Sequence, residues 1–316
     1  MRQYALRRLA YLPIIAVAVS MLTFGVLRSP WSQDPVIVMA GMDATPEQQQ
    51  AIREELGLDD PIPVQFLSWI GNLARGDLGE TFRGRQPVSE QVRVRIPATA
   101  EILFLSVFFS AVFGIGWGVI AAVRQNSGAD YTVRTFAVFG QSIPDFFLLV
   151  LLVVLPSIWW NYSSPVGRQP GFFEDPLQNL RLYVPPTLLL AVGGSSAMVR
   201  VTRSTLLEVL RQDYMRTARA KGLATPAVIW QHAFRNALIP IVTLLGGQIV
   251  VFFFGALILE QVFSINGLGQ FFYTSVLFGD FPVVQFLVLY TALIVVTINL
   301  IVDLSYALID PRVKYT

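Results

Sequence analysis

Residues 237–258 read ALIPIVTLLGGQIVVFFFGALI, an apolar run without a single charged side chain. As a helix rising 1.5 Å per residue it would extend roughly 33 Å, enough to cross about 30 Å of hydrocarbon. Working outward, five more windows qualify or nearly so. They are 9–27, 102–123, 136–160 with one acid at Asp145, the shorter 182–199 between Arg181 and Arg200, and 283–301. Several carry Gly or Pro, which membrane helices tolerate when neighbouring helices satisfy the freed backbone groups. Across the whole 316-residue chain 54% of residues are hydrophobic and only 14% charged, against about 25% charged in a typical soluble domain. The expectation is an all-α integral membrane protein with about six transmembrane helices.

The composition also excludes chemistry. Without cysteine there is no disulfide, thiol nucleophile or thiolate metal site. His232 is the one histidine, so a multi-histidine metal centre is excluded. No nucleophile–base pair stands out, and no catalytic or metal-ligating residue is assigned. Arg2, Arg7 and Arg8 before the first window resemble the n-region of a signal peptide. However, the apolar run that follows exceeds the usual 7–15 residues, and no clean small-residue cleavage site follows it. An uncleaved first span is expected.

Lysine and arginine placement orients the spans. With a cytoplasmic N-terminus, the inside segments hold Arg2, Arg7, Arg8, Arg124, Arg134, Arg200, Arg203, Arg211, Arg216, Arg219, Lys221, Arg235, Arg312 and Lys314, 14 of the 23. The two short outside loops hold only Arg168 and Arg181. Both termini are therefore expected in the cytoplasm.

Two segments are too long to be connectors. The outside one, 28–96, contains Thr45-Pro46-Glu47-Gln48, a helix start with Thr as N-cap, Pro at the first position and Gln at the third. Gly57 marks its stop. A second short helix, 64–74, places Phe66, Leu67, Ile70, Leu73 and Ala74 on one face. The segment reads as a cap on the spans, a docking surface for an outside partner, or both.

The inside segment, 200–236, is basic and patterned. A helix from Tyr214 to Lys221 has Asp213 near its start and Arg219 and Lys221 in its last turn, charges that complement the helix dipole. Gly222 ends it. Thr225-Pro226 restarts a helix, with Thr as N-cap, in which Trp230, Ala233, Phe234, Ala237 and Leu238 share one side. Ala218 and Ala220 permit close approach by another surface. A rigid helix pair continuous with a span can carry a push into the membrane, whereas a merely solvated basic loop would only set topology.

Charged groups within spans are costly and are usually functional or paired. Glu101, Asp145, Glu260 and Asp303 all read as lying near span ends, where water relieves the cost. Gln248 and Asn299 lie deeper and either line a path or bond between helices.

The inside segment resembles the coupling loop, the EAA loop, of ABC-importer permeases, and most nearly the first permease subunit of the dipeptide/oligopeptide/nickel family. Asp213-Tyr214-Met215-Arg216-Thr217-Ala218-Arg219-Ala220-Lys221-Gly222-Leu223 carries the likeness, with His232-Ala233-Phe234-Arg235-Asn236-Ala237 and Pro240. The general pattern has Glu-Ala-Ala where Arg216-Thr217-Ala218 stands, and Ile-x-Leu-Pro where 232–235 stands. Those departures look like the peptide subfamily's own version. The likeness extends along the chain through Arg7-Arg8-Leu9, Leu56-Gly57-Leu58-Asp59, Gly76-Asp77-Leu78-Gly79, Arg95-Ile96-Pro97-Ala98-Thr99, Asn266-Gly267-Leu268-Gly269, Asp280-Phe281-Pro282-Val283-Val284-Gln285, Asn299-Leu300-Ile301-Val302-Asp303-Leu304 and Asp310-Pro311-Arg312. The family usually has Trp-Pro at 265–266 and Arg at 270, where this chain has Ile265-Asn266 and Gln270.

The resemblance implies a type I ABC-importer permease with an extracytoplasmic insertion after its first span, in a prokaryotic cytoplasmic membrane. The parts would be 1–28, the N-terminus and first span; 29–96, the extracytoplasmic segment; and 97–316, a five-span core with its coupling loop at about 200–236. It implies a second homologous permease as heterodimer partner, two cytoplasmic ATPases that bind ATP and Mg, an extracytoplasmic binding protein, surrounding lipid, and no nucleic acid. The chain has no Gly-x-x-x-x-Gly-Lys-Ser/Thr phosphate loop and is expected to bind no cofactor itself. Asp213, Tyr214, Arg216, Thr217, Ala218, Arg219, Ala220, Lys221, Gly222, His232 and Arg235 are the expected ATPase-coupling residues. Glu101, Asp145, Gln248, Glu260 and Asn299 are expected along the path. Peptide cargo is expected, with nickel chelates, glutathione and haem as alternatives within the family. An ion-coupled secondary transporter is the rival class, although no clear internal repeat favours it.

Overall fold

The computed structural model describes residues 2–29, 33–41, 44–161 and 169–309. Arg168, the segment Asp310-Pro311-Arg312 and Lys314 lie outside them. The described elements are helical: α1 Arg2–Leu27, α2 Pro35–Ala40, α3 Pro46–Glu55, α4 Ile62–Ala74, α5 Val88–Val123, α6 Gly128–Ser142, α7 Asp145–Trp160, α8 Pro176–Leu210, α9 Asp213–Ala220, α10 Thr225–Ala227, a π-helical turn Val228–Ala233, α11 Phe234–Phe263, α12 Leu268–Leu277 and α13 Phe281–Ile309. Among them, five stretches are long and apolar enough to cross a bilayer: Ala10–Leu27, Val88–Val123, Pro176–Leu210, Thr225–Phe263 and Phe281–Tyr306. The outward faces are rich in exposed Leu, Val, Ile and Phe, as a lipid-facing surface requires. The chain is a multi-span membrane protein.

The third window does not form a straight span. Ile143 is extended (φ −99, ψ 123) and Pro144 stands at the N-cap of α7. A residue before proline is driven from the α region, so α6 stops and α7 leaves at 88°. Counted as one broken span, the pair brings the total to six. Asp145 therefore sits at a break in the middle of its window and not near a span end. There it occupies the first turn of α7, where the helix dipole favours an anion.

The chain divides into two compact units. One comprises Met1–Ala5, Ala98–Ile265 and Ile298–Thr316. Its organising element is α8, against which α6, α7 and α11 pack. Glycines set the spacing. A side chain at Gly114 would meet Met198 and stand 3.0 Å from the Ser195 carbonyl, and one at Gly118 would stand 2.6 Å from Thr202 Cβ and 3.0 Å from the Val199 carbonyl. Both pairs advance by four residues, so one ridge of α5 lies directly on the α8 backbone. Gly140 of α6 lies against Ser196, and Gly255 of α11 lies 2.7 Å, measured from an added Cβ, from Leu190. Small residues let membrane helices approach closely enough for dispersion and weak Cα–H···O contacts to replace the missing hydrophobic drive. Two buried clusters flank this region. One centres on Ile102, Leu149, Leu190, Phe252 and Leu259, the other on Met198, Leu206, Met215, Val228, Ala233 and Ile241.

The second unit comprises Leu6–Pro97 and Asn266–Thr297. Its core is Val88, Val92, Leu268, Val283 and Leu287. The α3 start forms as its sequence requires. Thr45 Oγ1 accepts from the Gln48 N–H, Gln48 Oε1 accepts from the Thr45 N–H, and Pro46 opens the helix. Gly57 takes φ +59 just beyond the end. The apolar face of α4 differs from the expected one. Leu67 is 68% exposed, while Phe66 packs on Phe24 with ring centroids 5.5 Å apart and on Trp69 at 6.2 Å. Helical periodicity could not tell which side of the stripe has a partner.

The glycine ridge gives a direct test. Gly114→Leu should destabilise the protein by about 2 kcal/mol through overpacking and lower its thermal unfolding temperature in detergent. Gly116→Ala is the control, because nothing lies within 4 Å of an added Cβ there. Equal stability of the two variants would refute the close packing of α5 on α8.

Candidate functional site: the α9 shelf and the polar core

α8 ends at Leu210. Arg211 remains helical, Gln212 is extended (ψ 149), and α9 starts with Asp213 in its first turn and Arg219 in its last. α9 is short, so its own hydrogen bonds cannot hold it. Met215, 0% exposed, anchors it into the cluster of Leu206, Val228, Ile229 and Ala233, with Ala218 half-buried beside it. Helical periodicity alone does not single out Met215. Its signal is a lone large apolar residue in an otherwise polar octet.

The rest of α9 faces outward. Asp213, Tyr214, Arg216, Thr217, Arg219, Ala220, Lys221 and Gly222 are exposed. Arg216 and Asp213 approach to 3.6 Å with side chains 79% and 96% exposed, an ion pair worth little in water. Gly222 has φ +78 with nothing within 4 Å of an added Cβ. Backbone conformation, not crowding, calls for glycine there. The return helix is α10, the π turn and α11. Ala224 occupies the N-cap position and Thr225 is already helical, with no side-chain cap hydrogen bond. The expected Thr225 cap is thus not made. The buried stripe is Val228, Ile229, Ala233, Ala237 and Ile241. Trp230, expected on that side, is 53% exposed and packs edge-on against Phe234 at 5.1 Å. The reason is the π turn, where the Phe234 N–H reaches Ile229 O and the 3.6-residue period is lost. Asn236 Nδ2 donates to Tyr214 Oη at 3.2 Å and to His232 O at 2.7 Å, joining α9 to α11. His232 is half-buried and Arg235 exposed.

One contact near the α9 end of α8 was invisible in the sequence. Arg203 donates to Asp130 through Nε at 2.7 Å and Nη2 at 2.8 Å. Asp130 is 0% exposed, and its Oδ2 also accepts from the Asn126 N–H while Ser127 caps α6. The pair locks the α5–α6 turn to α8, ten residues before Asp213. Ser127-x-x-Asp130 is a capping signature, but nothing in sequence says that the acid also reaches α8.

The expected path residues separate into groups. Glu260 is fully buried and accepts from Thr99 Oγ1 at 2.6 Å. It is therefore not relieved by water at a span end, as had been expected. Glu101 accepts from Asn179 Nδ2 at 3.1 Å, and Asn179 also donates to Pro170 O. Tyr183 is buried in the same cluster as Ile102 and Leu259, the sequence neighbours of Glu101 and Glu260. Gln248, 5% exposed, accepts from Ser110 Oγ at 2.8 Å and donates to Gly194 O at 2.7 Å, tying α5, α8 and α11 together. Asp145 lies beside Gly193, whose added Cβ would be 2.8 Å from Oδ1. Asn299 is exposed on α13 and does not join them.

Known proteins resemble this chain along its length. The family described as "Binding-protein-dependent transport system inner membrane component" matches residues 114–315, and its N-terminal companion matches residues 1–103. A Brucella abortus (strain 2308) protein, provisionally named a peptide transport system permease, is 39% identical over 98% of both chains. The dipeptide transport system permease protein DppB of Escherichia coli K12 is 36% identical over 100% of this chain and 99% of its own. The di/tripeptide transport system permease protein DppB of Pseudomonas aeruginosa (strain UCBPP-PA14) is 35% identical over the same shares. In fold, the chain is similar to one from the inward-facing MetNI methionine ABC transporter, with TM-score 0.53 and 22% identity over 67% of this chain and 93% of that one. An amino acid ABC transporter crystallised with histidines gives TM-score 0.52 and 14% identity over 69% and 93%.

Asp130→Asn should cost about 2 kcal/mol or more, since it leaves Arg203 largely buried without its counter-charge. Thermal unfolding of the detergent-solubilised chain measures it. Restoring stability with the added change Arg203→Met would show that the unpaired cation is the cause. An unchanged Asp130→Asn variant would deny the pair any structural role.

Proposed function

The chain belongs to the family of binding-protein-dependent transport system inner membrane components, and on that premise we propose that it is a pore-forming permease subunit of an ATP-driven importer that passes peptides into the cytoplasm. The observation that carries the coupling role is the α9 shelf. Met215 fixes one side, the other side is open and charged, and Gly222 turns the chain back into a transmembrane helix. Such a body can take a push from a partner and pass it to α8 and α11 without deforming. In this reading Asp213, Tyr214, Arg216, Thr217, Ala218, Arg219, Ala220, Lys221, Gly222, His232 and Arg235 meet a cytoplasmic ATPase. Two ATPases, a homologous second permease and an extracytoplasmic binding protein complete the assembly. Nucleotide shifts the population between outward- and inward-open packings.

The peptide assignment draws on the names of the relatives, with nickel chelates, glutathione and haem as alternative cargo. Glu101, Asp145, Gln248 and Glu260 would contact or shape the path. Asn299, exposed on α13, would contribute from its surface. The proposal further holds that α6 and α7 make a single broken span, giving six, and that both termini are cytoplasmic in a prokaryotic inner membrane. It also retains the three parts 1–28, 29–96 and 97–316.

Replacing Gly222 with Val forces a β-branched residue to φ +78, a strain of order 1–3 kcal/mol. In the purified complex it should lower ATP-driven uptake about tenfold or more, with assembly and ATP hydrolysis retained. Normal uptake at normal expression would remove α9 from the coupling route. Affinity purification of this chain should also recover an ATPase. Transport that survives loss of the ATPases and collapses with the proton gradient would instead establish the secondary-transporter reading.

A further inference from the structure

The second unit contains a cleft of ≈ 300 Å³ that the coupling and path residues leave unused. Arg83, Arg95, Phe271, Thr274, Ser275 and Asp280 form much of its wall. Arg95 lies half-buried with its guanidinium 4.4 Å from the Phe271 ring centre. Its Nη1 donates to Gln91 O and Gln91 Oε1, but its Nε is buried with no acceptor. Arg83 lies 4.2 Å over the Phe278 ring. Among the described residues neither arginine has a carboxylate partner. Asp280 supplies the opposite charge. It is 5% exposed, Oδ2 accepts from the Phe82 N–H at 3.1 Å, and Oδ1 is buried with no donor. Burial pushes its carboxyl upward despite the neighbouring backbone N–H groups of Phe82, Val283 and Arg83. A cation beside this carboxylate would relieve that cost. Buried or half-buried charges without a counter-charge are uncommon in proteins, and here two of opposite sign border the same cleft.

The α12 residues that the two groups adjoin set a scale for the ligand. Arg95 stands over Phe271, and the Asp280 N–H bonds Ser275 O at 2.8 Å. Phe271 and Ser275 are four residues apart on α12, roughly 6 Å along the axis. Two residues of extended peptide span at most about 7 Å. We propose that the cleft seats a zwitterion of dipeptide size, its carboxylate on Arg95 with Arg83 beside it and its ammonium on the Asp280 carboxylate. Thr274, Gln86 and Gln91 offer hydrogen-bonding groups to the peptide bond between. The choice of a peptide ligand shares its premise with the proposed cargo, but the seat itself rests on the cleft.

The test is calorimetric titration of the full chain, in its complex and reconstituted in nanodiscs, with Ala-Ala. Saturable binding is expected. N-acetyl-Ala-Ala and Ala-Ala amide, each lacking one charge, should bind at least about tenfold more weakly. Arg95→Gln and Asp280→Asn should each abolish binding. Because Asp280 also holds the Phe82 backbone, Arg83→Gln, expected to weaken binding with thermal unfolding unchanged, keeps the test independent of folding. No binding of Ala-Ala to the native chain, equal binding of the blocked peptides, or inorganic phosphate binding as well as Ala-Ala would each overturn the seat. If binding is absent while the complete importer still takes up Ala-Ala with ATP, the seat falls and the importer reading stands. If the cleft binds Ala-Ala but ATP drives no uptake, the importer reading falls alone.

Discussion

Much of the first unit depends on how closely other helices can approach α8. In a bilayer the apolar surface of a helix gains little by leaving lipid for protein, so association rests on packing and on hydrogen bonds. The chain meets this by removing side chains. Gly114, Gly118, Gly140 and Gly255 each stand where an added Cβ would strike α8. Polar contacts then fix rotation and register. Gln248 bridges Ser110 and Gly194 in the middle, and Arg203 grips Asp130 nearer α9. With α8 held in this way, its last turn presents α9 at a defined angle, and Met215 needs only one buried side chain to hold the shelf.

The spans were legible because they rest on a one-dimensional quantity, the length of an apolar run. Helix ends were legible where a local code exists: Thr45 with Gln48, Asp213 and Arg219 at the ends of α9, Gly222 with its positive φ. What could not be read depends on partners distant in sequence. Asp130 and Arg203 are 73 positions apart, and each alone looks like an ordinary surface charge. Glu260 looked like a span-end acid until α5 supplied Thr99 against it. The break at Pro144 was available locally, from a proline following a β-branched residue, but the continuous hydropathy on both sides masked it. Trp230 falls outside the buried stripe because the segment 228–233 does not keep a period of 3.6.

Buried polar groups serve different ends. In the first unit Glu260 meets the Thr99 hydroxyl, Asp130 meets the Arg203 guanidinium, and the Gln248 amide meets the Gly194 carbonyl. These bonds rigidify. In the second unit Arg95 Nε and Asp280 Oδ1 are buried without a partner on two residues that line one cavity. Such groups are costly to the fold alone, and under the proposal above an outside molecule offsets part of that cost.

The π-helical turn at Val228–Ala233 has a consequence for how sequences of this kind can change. It holds one residue more than an α-helical turn, and the buried stripe shows the surplus, stepping five positions from Val228 to Ala233 and then four to Ala237 and four to Ile241. A single-residue deletion within the turn would heal into regular α-helix and leave Ala237 and Ile241 in register with the core. Everything before it, α9 included, would keep its facing, because the five-residue step of the π turn and the four-residue step of an α-helix both return the chain to the same side of the axis. The turn is thus a point where the loss of one codon is absorbed by the backbone hydrogen bonding and leaves the direction of the shelf unchanged.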